Sequence, residues 1–273
     1  MTGGESLSAP IRRSVDFLES RLPRRPTVGV ILGSGLGGYA DRPPILAALS
    51  YADIPGFSPC SVPGHGGRLV VTDRGGRSVA ILQGRLHRYE GHSLEAVTRP
   101  VRVLAALGVK TLIVTCAAGA LTDWPPGTVM LIADHLNLMG DNPLVGPGHR
   151  FVEMAEAYDP ELRRLAEQAA QSLGLTLRQG VLAAVTGPSY ETGAEAAMLA
   201  RLGAQAVSMS TVPEVIVARS LGLRVFGLAL LTNRAGTTLE SGAGHGQVLA
   251  VAENRSTAVG DLLDRIIDRL SVA

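Results

Sequence analysis

The chain has 273 residues, 46% of them hydrophobic and 18% charged, with a mean hydropathy of +0.23 and a formal net charge of +1. This composition supplies ample apolar surface for a core and excludes global disorder. The near-neutral charge excludes a field that would draw the chain to nucleic acid or an anionic membrane. Any anion site must be local, and its cations are arginines, since Lys110 is the only lysine.

The length suits one α/β domain spanning residues 1–273, with residues 1–9 polar and expected to fray. After Pro10, the apolar residues Ile11, Val15, Leu18 and Leu22 recur at helical spacing until Pro23 stops the pattern. Val28 to Leu32 is a short apolar run closed by glycines. Similar runs at Val79 to Leu82, Thr111 to Thr115, Val129 to Ala133, Val181 to Thr186, Ala204 to Met209 and Val225 to Leu231 are expected as buried strands.

Between them lie helical stripes: Leu94, Val97, Val101, Leu104 and Leu107; Leu162, Leu165, Ala169 and Leu173; then Val215 to Leu221. A last helix is expected from near His245 to Leu270, bent at Gly260. Strand alternating with helix is the order of an α/β fold. The loop Gly140 to Glu153 is long, rich in Gly and Pro, and carries His149, Arg150 and Phe151; a functional loop and a solvated one both fit.

Cys60 and Cys116 match no metal-ligand spacing and suggest neither a disulfide framework nor a zinc site. With no signal pattern at the start and no apolar run of membrane-spanning length, the expected location is the cytoplasm.

Gly33, Gly35 and Gly38 have the spacing of a dinucleotide fingerprint after a strand, but Pro43 and Pro44 interrupt the helix that the fingerprint needs. What remains is a loop whose backbone N–H groups and Ser34 hydroxyl can approach an anion, or a tight turn whose glycines serve geometry alone. His65 lies in the flexible run Gly64-His65-Gly66-Gly67, as a site residue or an exposed turn histidine. The segment QGRLHRYEG alternates after a strand. If extended, it points Arg85, His87 and Tyr89 to one side and Leu86, Arg88 and Glu90 to the other, although an exposed hairpin shows the same pattern. Glu191 and Glu214 each follow a strand, and helix-start electrostatics alone would account for Glu214.

Taken in order, GSGLGG, VPGHGG, GRLHRYEG, TCAAGAL, GPSYETGAE, VSMSTVPE and TNRAG closely resemble the purine nucleoside phosphorylases of the homotrimeric type, over nearly the whole chain. The resemblance implies one α/β domain around a mixed, partly barrel-like sheet flanked by helices. It implies a phosphate site made by Ser34, His65, Arg85, His87, the backbone N–H of Ala117, and Ser210. Tyr89, Met209 and His245 would contact the ribose. The purine would lie near Tyr190 and Val207 and hydrogen-bond to Glu191 and Asn233, with His87, Glu191 and Asn233 as the catalytic set. Phe151 would cover the pocket of a neighbouring subunit.

The implied activity is reversible phosphorolysis of 6-oxopurine ribo- and deoxyribonucleosides, using inorganic phosphate as co-substrate and neither cofactor nor metal. Methylthioadenosine phosphorolysis and non-catalytic nucleoside binding are the alternatives. Relatives that cleave methylthioadenosine carry aspartate where Asn233 stands. The chain departs from the family pattern at Cys116, Ala120 and Ser208, the last expected beside the base, and Ser241 to Gln247 aligns only weakly.

Overall fold

The computed structural model describes residues 7–146, 151–237 and 244–270. Expectations for residues 1–6, His149, Arg150 and Ser241 to Ala243 lie outside them. At the start of the described chain, Ser8 stands at the N-cap position of helix α1 (Ala9–Glu19) without a side-chain capping bond, and Pro10 lies in its first turn, where a missing N–H removes no helical bond.

The expected apolar runs all form strands: β1 (Val28–Ile31), β4 (Arg77–Gln83), β5 (Thr111–Ala120), β6 (Val129–Asn137), β7 (Leu177–Ala184), β8 (Ala206–Ser208) and β9 (Arg224–Arg234). The stripes form helices α2 (Leu94–Ala106), α3 (Pro160–Ser172), α5 (Val212–Ser220) and α6 (Gly244–Arg269).

Three elements were not expected. Strands β2 (Ile45–Ser50) and β3 (Arg68–Arg74) pair antiparallel, and β3 returns through Gly75-Gly76 into β4, with Arg74 opposite Arg77. Helix α4 (Gly193–Arg201) starts at a capping box in which Thr192 accepts from the Glu195 N–H and Glu195 accepts from the Thr192 N–H.

The nine strands among the described residues belong to one mixed sheet, ordered β2-β3-β4-β1-β5-β8-β7-β6-β9, with a further pairing of β5 to β9. That last pairing closes β5, β8, β7, β6 and β9 into a ring, while β1 to β4 extend from it as an open arm. The partly barrel-like sheet implied by the resemblance is therefore present. β5 bridges both parts, running parallel to β1 over Thr111 to Val114 and parallel to β9 along its length.

Alternate residues of the arm face opposite layers. Ile31, Leu82 and Val114 pack with Val101 and Leu104 of α2 and Val215 of α5, whereas Val30, Ile81 and Ile113 pack with Leu262, Leu263 and Ile266 of α6. Leu104 is fully buried, and truncating such a side chain to alanine costs about 2–5 kcal/mol. Helix α6 is fastened to the arm by polar contacts. Tyr39 donates to Asp264 at 2.7 Å, and Arg42 reaches Asp261 at 2.8 Å and Asp264 at 3.0 Å. α6 runs through Gly260 as one helix, and a Cβ there would lie 2.6 Å from the Arg42 guanidinium. Gly260 makes room for the fastening.

Candidate active site

Loops and strand ends after β1, β4, β5, β7, β8 and β9 meet around one cleft of about 590 Å³. This is where α/β sheets bind ligands, at the carboxyl ends of the strands. Ser34, His65, Arg85, His87, Tyr89, Ala117, Tyr190, Glu191, Val207, Met209, Ser210, Asn233 and His245 all line it. Phe151 does not; its side chain is exposed beside His135, Asn142 and Leu144.

Gly33 is packed so closely on β5 that a Cβ would sit 2.8 Å from the Cys116 Cα, while its N–H donates to the Thr115 hydroxyl at 2.9 Å. Gly35 has φ +76°, and a Cβ there would lie 2.3 Å from the Ala252 Cβ of α6. Around Gly38 there is open space. The fingerprint-like spacing thus comes from two glycines that seat the loop between β5 and α6 and a third that meets no such constraint.

The loop carries Ser34 to His65, with 3.0 Å between Oγ and Nε2, and the Arg85 backbone N–H donates to His65 Nδ1 at 2.7 Å. A backbone amide is only a donor, so Nδ1 must be unprotonated and Nε2 must carry the ring hydrogen. Ser34 therefore accepts from His65, leaving its own proton for a ligand. Burial, with His87 and Arg85 nearby, pushes His65 down to about 3, which keeps this neutral tautomer.

His87 is fixed from the opposite side. Its backbone N–H donates to Glu90 Oε1 at 2.7 Å, its Nδ1 lies 3.0 Å from the same oxygen, and Ser61 donates to Oε2. Nδ1 is thus the donor, and Nε2 remains to take or give a proton. Burial and Arg85 push His87 down to about 4 against the pull of Glu90. The expectation that Glu90 faces away from His87 is corrected: Arg88–Glu90 form a 3-10 turn, which swings the carboxylate back into the cleft. The ring of Tyr89 stacks on His87 at 4.7 Å.

Arg85 is buried, and its terminal nitrogens are committed to protein oxygens. Nη1 donates to Thr211 Oγ1 at 2.9 Å and Ser210 Oγ at 3.2 Å, and Nη2 to the Thr115 carbonyl at 2.5 Å. It serves this end of the cleft as a fixed positive charge and as the group that orients Ser210. The hydroxyl of Ser208, next to Val207, joins the same network. It donates to the Ala117 carbonyl at 3.2 Å and lies 3.3 Å from Ser210 Oγ.

The far end has different chemistry. Glu191 is half-buried, and burial, with Glu195 adding to it, raises its carboxyl pKa. Asn233, at the end of β9, is 8% exposed; its Oδ1 accepts from Thr232 at 3.1 Å, so Nδ2 faces outward as a donor with only a long 3.4 Å contact to the Arg234 carbonyl. Tyr190 stands at the rim, and Val207, opposite Gly119 on β5, forms an apolar floor. His245, on the first turn of α6, has Nε2 3.1 Å from the Pro63 carbonyl. Sequence reasoning missed Ser61 and Glu90 as cleft residues; only the turn after His87 discloses them. Among the described residues no cluster of His, Cys, Asp and Glu is arranged to hold a metal, and no helix is long and apolar enough to cross a membrane.

A mixed sheet with hydroxyl and imidazole groups at one end of a cleft and a carboxylate and an amide at the other has the arrangement of an α/β enzyme's active site. The model of the phosphorylase superfamily matches residues 27–268. Purine nucleoside phosphorylase 1 of Bacillus subtilis (strain 168) is 47% identical over 263 residues, covering 94% of this chain and 97% of that one. The purine nucleoside phosphorylase of Rattus norvegicus is 49% identical over 234 residues, covering 82% and 81%. The Schistosoma mansoni enzyme solved in complex with inosine superposes with a TM-score of 0.88 at 37% identity, covering 98% of this chain and 100% of that one. The chain belongs to the purine nucleoside phosphorylase family.

Proposed function

We propose that the cleft holds phosphate and a 6-oxopurine nucleoside together and carries out reversible phosphorolysis to the free base and ribose or deoxyribose 1-phosphate. The observation that carries this reading is the division of one cleft into an end of oriented hydroxyl and imidazole groups and an end presenting Glu191 and Asn233. Breaking the bond from ribose C1′ to purine N9 leaves positive charge on the sugar and negative charge on the base, so both must be stabilised together. Phosphate attacks C1′ and balances the sugar. The bonding pair departs onto the purine, where Asn233 Nδ2 donates to N7 as charge accumulates there.

Ser34, with its proton free, and Ser210, oriented by Arg85, serve as donors to phosphate. The Ala117 N–H, His65, the fixed charge of Arg85 and His87 complete that end, while Tyr89, Met209 and His245 flank the sugar. Glu191 selects the base: a carboxylate accepts from the N1–H of hypoxanthine or guanine but meets a bare acceptor at N1 of adenine. The Schistosoma mansoni relative is solved with inosine and also with adenosine, so the choice of base rests on Glu191 and on the comparative assay.

The reaction draws on phosphate alone and requires no cofactor; its products suit purine salvage in the cytoplasm. The exposed Phe151 reaches a neighbouring cleft in a homotrimer of 28.4 kDa chains, which a solution mass measurement checks. The decisive assay is hypoxanthine release from inosine with and without phosphate, with methylthioadenosine at matched concentration beside it. Absence of phosphate-dependent turnover overturns the reading, and faster turnover of methylthioadenosine reassigns the substrate.

A further inference from the structure

Ser210 is followed by the most unusual backbone in the described chain. Thr211 has φ +75° and ψ −53° and is the only non-glycine residue with positive φ among the described residues. The Val212 N–H donates to the Ser210 carbonyl at 2.8 Å, which closes a γ-turn around Thr211. This γ-turn is the rare, strained kind, and a β-branched residue is among the least tolerant of it. Such a conformation persists only where its surroundings over-determine it.

The surroundings here converge on Glu214. It occupies the first turn of α5, three residues past Thr211, and is 2% exposed. The Thr211 backbone N–H, with Arg85, favours its charged form. The carboxylate faces Arg85, with Oε1 3.4 Å from Nε and Oε2 3.5 Å from Nη1. Arg85 in turn donates to the hydroxyls of both Thr211 and Ser210. One buried carboxylate thus faces the guanidinium that clamps the turn's side chains. Neither Thr211 nor Glu214 lines the cleft, so any influence on a ligand passes through Arg85 and Ser210.

We infer that Glu214 is a positioning residue for the phosphate end of the cleft, fixing through Arg85 and the Thr211 turn where the Ser210 hydroxyl and the guanidinium charge stand. A helix-start carboxylate that served α5 alone would need no cation and no strained partner. Burial raises the pKa of Glu214, while Arg85 and the Thr211 N–H oppose that rise, so the groups it faces favour its charged form. Removing its charge leaves a buried guanidinium uncompensated, which then follows other acceptors and releases Ser210.

The inference rests on the anion end being the phosphate site, and kinetics separate the two. The parent enzyme is first titrated with phosphate at saturating inosine; absence of phosphate dependence there defeats the functional reading itself. With that dependence established, Glu214→Gln raises KM for phosphate about tenfold or more and leaves KM for inosine within about threefold, and Glu214→Asp, which keeps the charge, recovers part of the loss. Equal shifts in both KM values, or an unchanged or lower KM for phosphate in folded Glu214→Gln, overturns the inference in favour of a purely structural ion pair. Should Glu214→Gln fail to fold, Glu214→Asp decides by the same split: a rise confined to the phosphate KM supports the inference and its absence ends it.

Discussion

Replacing Asn233 by alanine removes one donor and little else, because its side chain is held mainly by Thr232 and a long contact to the Arg234 carbonyl. The fold is expected to survive. The amide nitrogen sits at a site 8% exposed, where a hydrogen bond to developing charge is poorly replaced by water. A donor of this kind is worth about 3 kcal/mol, a hundredfold or more in kcat. Because its bond to N7 strengthens as the base departs, KM for inosine should stay within about threefold while kcat carries the loss. Thr232→Val provides a graded control: the amide remains but loses the hydroxyl that sets its orientation, and a decrease of about tenfold or less is expected. Steady-state release of hypoxanthine at saturating phosphate measures both variants. If Asn233→Ala retains kcat within about threefold of the parent, Asn233 is not the group that stabilises the leaving base.

The pH response follows from the two imidazoles. His65 and His87 are held at about 3 and about 4, below the ordinary 6.5, so the unfolded chain takes up protons as pH falls through 6.5 while the fold does not. Their contribution to stability is complete above that window and is lost as pH falls through it towards the folded values. Tm should drop from pH 7 to pH 5, less steeply in phosphate than in chloride of equal ionic strength; a double His65→Gln, His87→Gln variant with the parent's acid slope would remove these groups as the cause. Gly35→Ala should destabilise by about 2 kcal/mol or more through its positive φ and its contact with Ala252, while Gly38→Ala changes Tm little; equal effects in thermal unfolding would refute the reading of the loop. Glu191→Gln offers an amide that can donate to N1 of adenine, so the ratio of kcat/KM for inosine over adenosine should fall about tenfold or more, and an unchanged ratio would take base choice away from Glu191.

The strand and helix order was legible because buried strands are short apolar runs and helices carry a stripe every three or four residues. Some signals were present and not read. Gly75-Gly76 between Leu69-Val70-Val71 and Val79-Ala80-Ile81 is a hairpin signature, and Thr192 with Glu195 is a capping box. Other features leave no local trace. The pairing of β5 with β9 joins residues from opposite halves of the chain, as does the Arg85–Glu214 pair. In the site, the ordered motifs carry every lining residue that the resemblance implied except His245, which lies in the weakly aligned segment. Periodicity alone misplaced Glu90, because a strand rule cannot anticipate the 3-10 turn that returns its carboxylate to His87. The contacts of Ser208 with Ala117 and Ser210 left no trace either, because they are set by how β8 docks on β5.

The closure of the ring through β5 and β9 bears on how the protein is made. During synthesis β5 emerges with only β1 to pair with, and its other edge waits for β9, which leaves the ribosome after all the other strands. Until then the growing chain carries an apolar, unsatisfied strand edge of the kind that nucleates aggregation. Asn233 arrives on that same late strand. A product truncated before β9 therefore has no half-active form to fall back on: it lacks both the seal on its sheet and the amide at the base end of its cleft, and its expected fate is capture by chaperones or deposition.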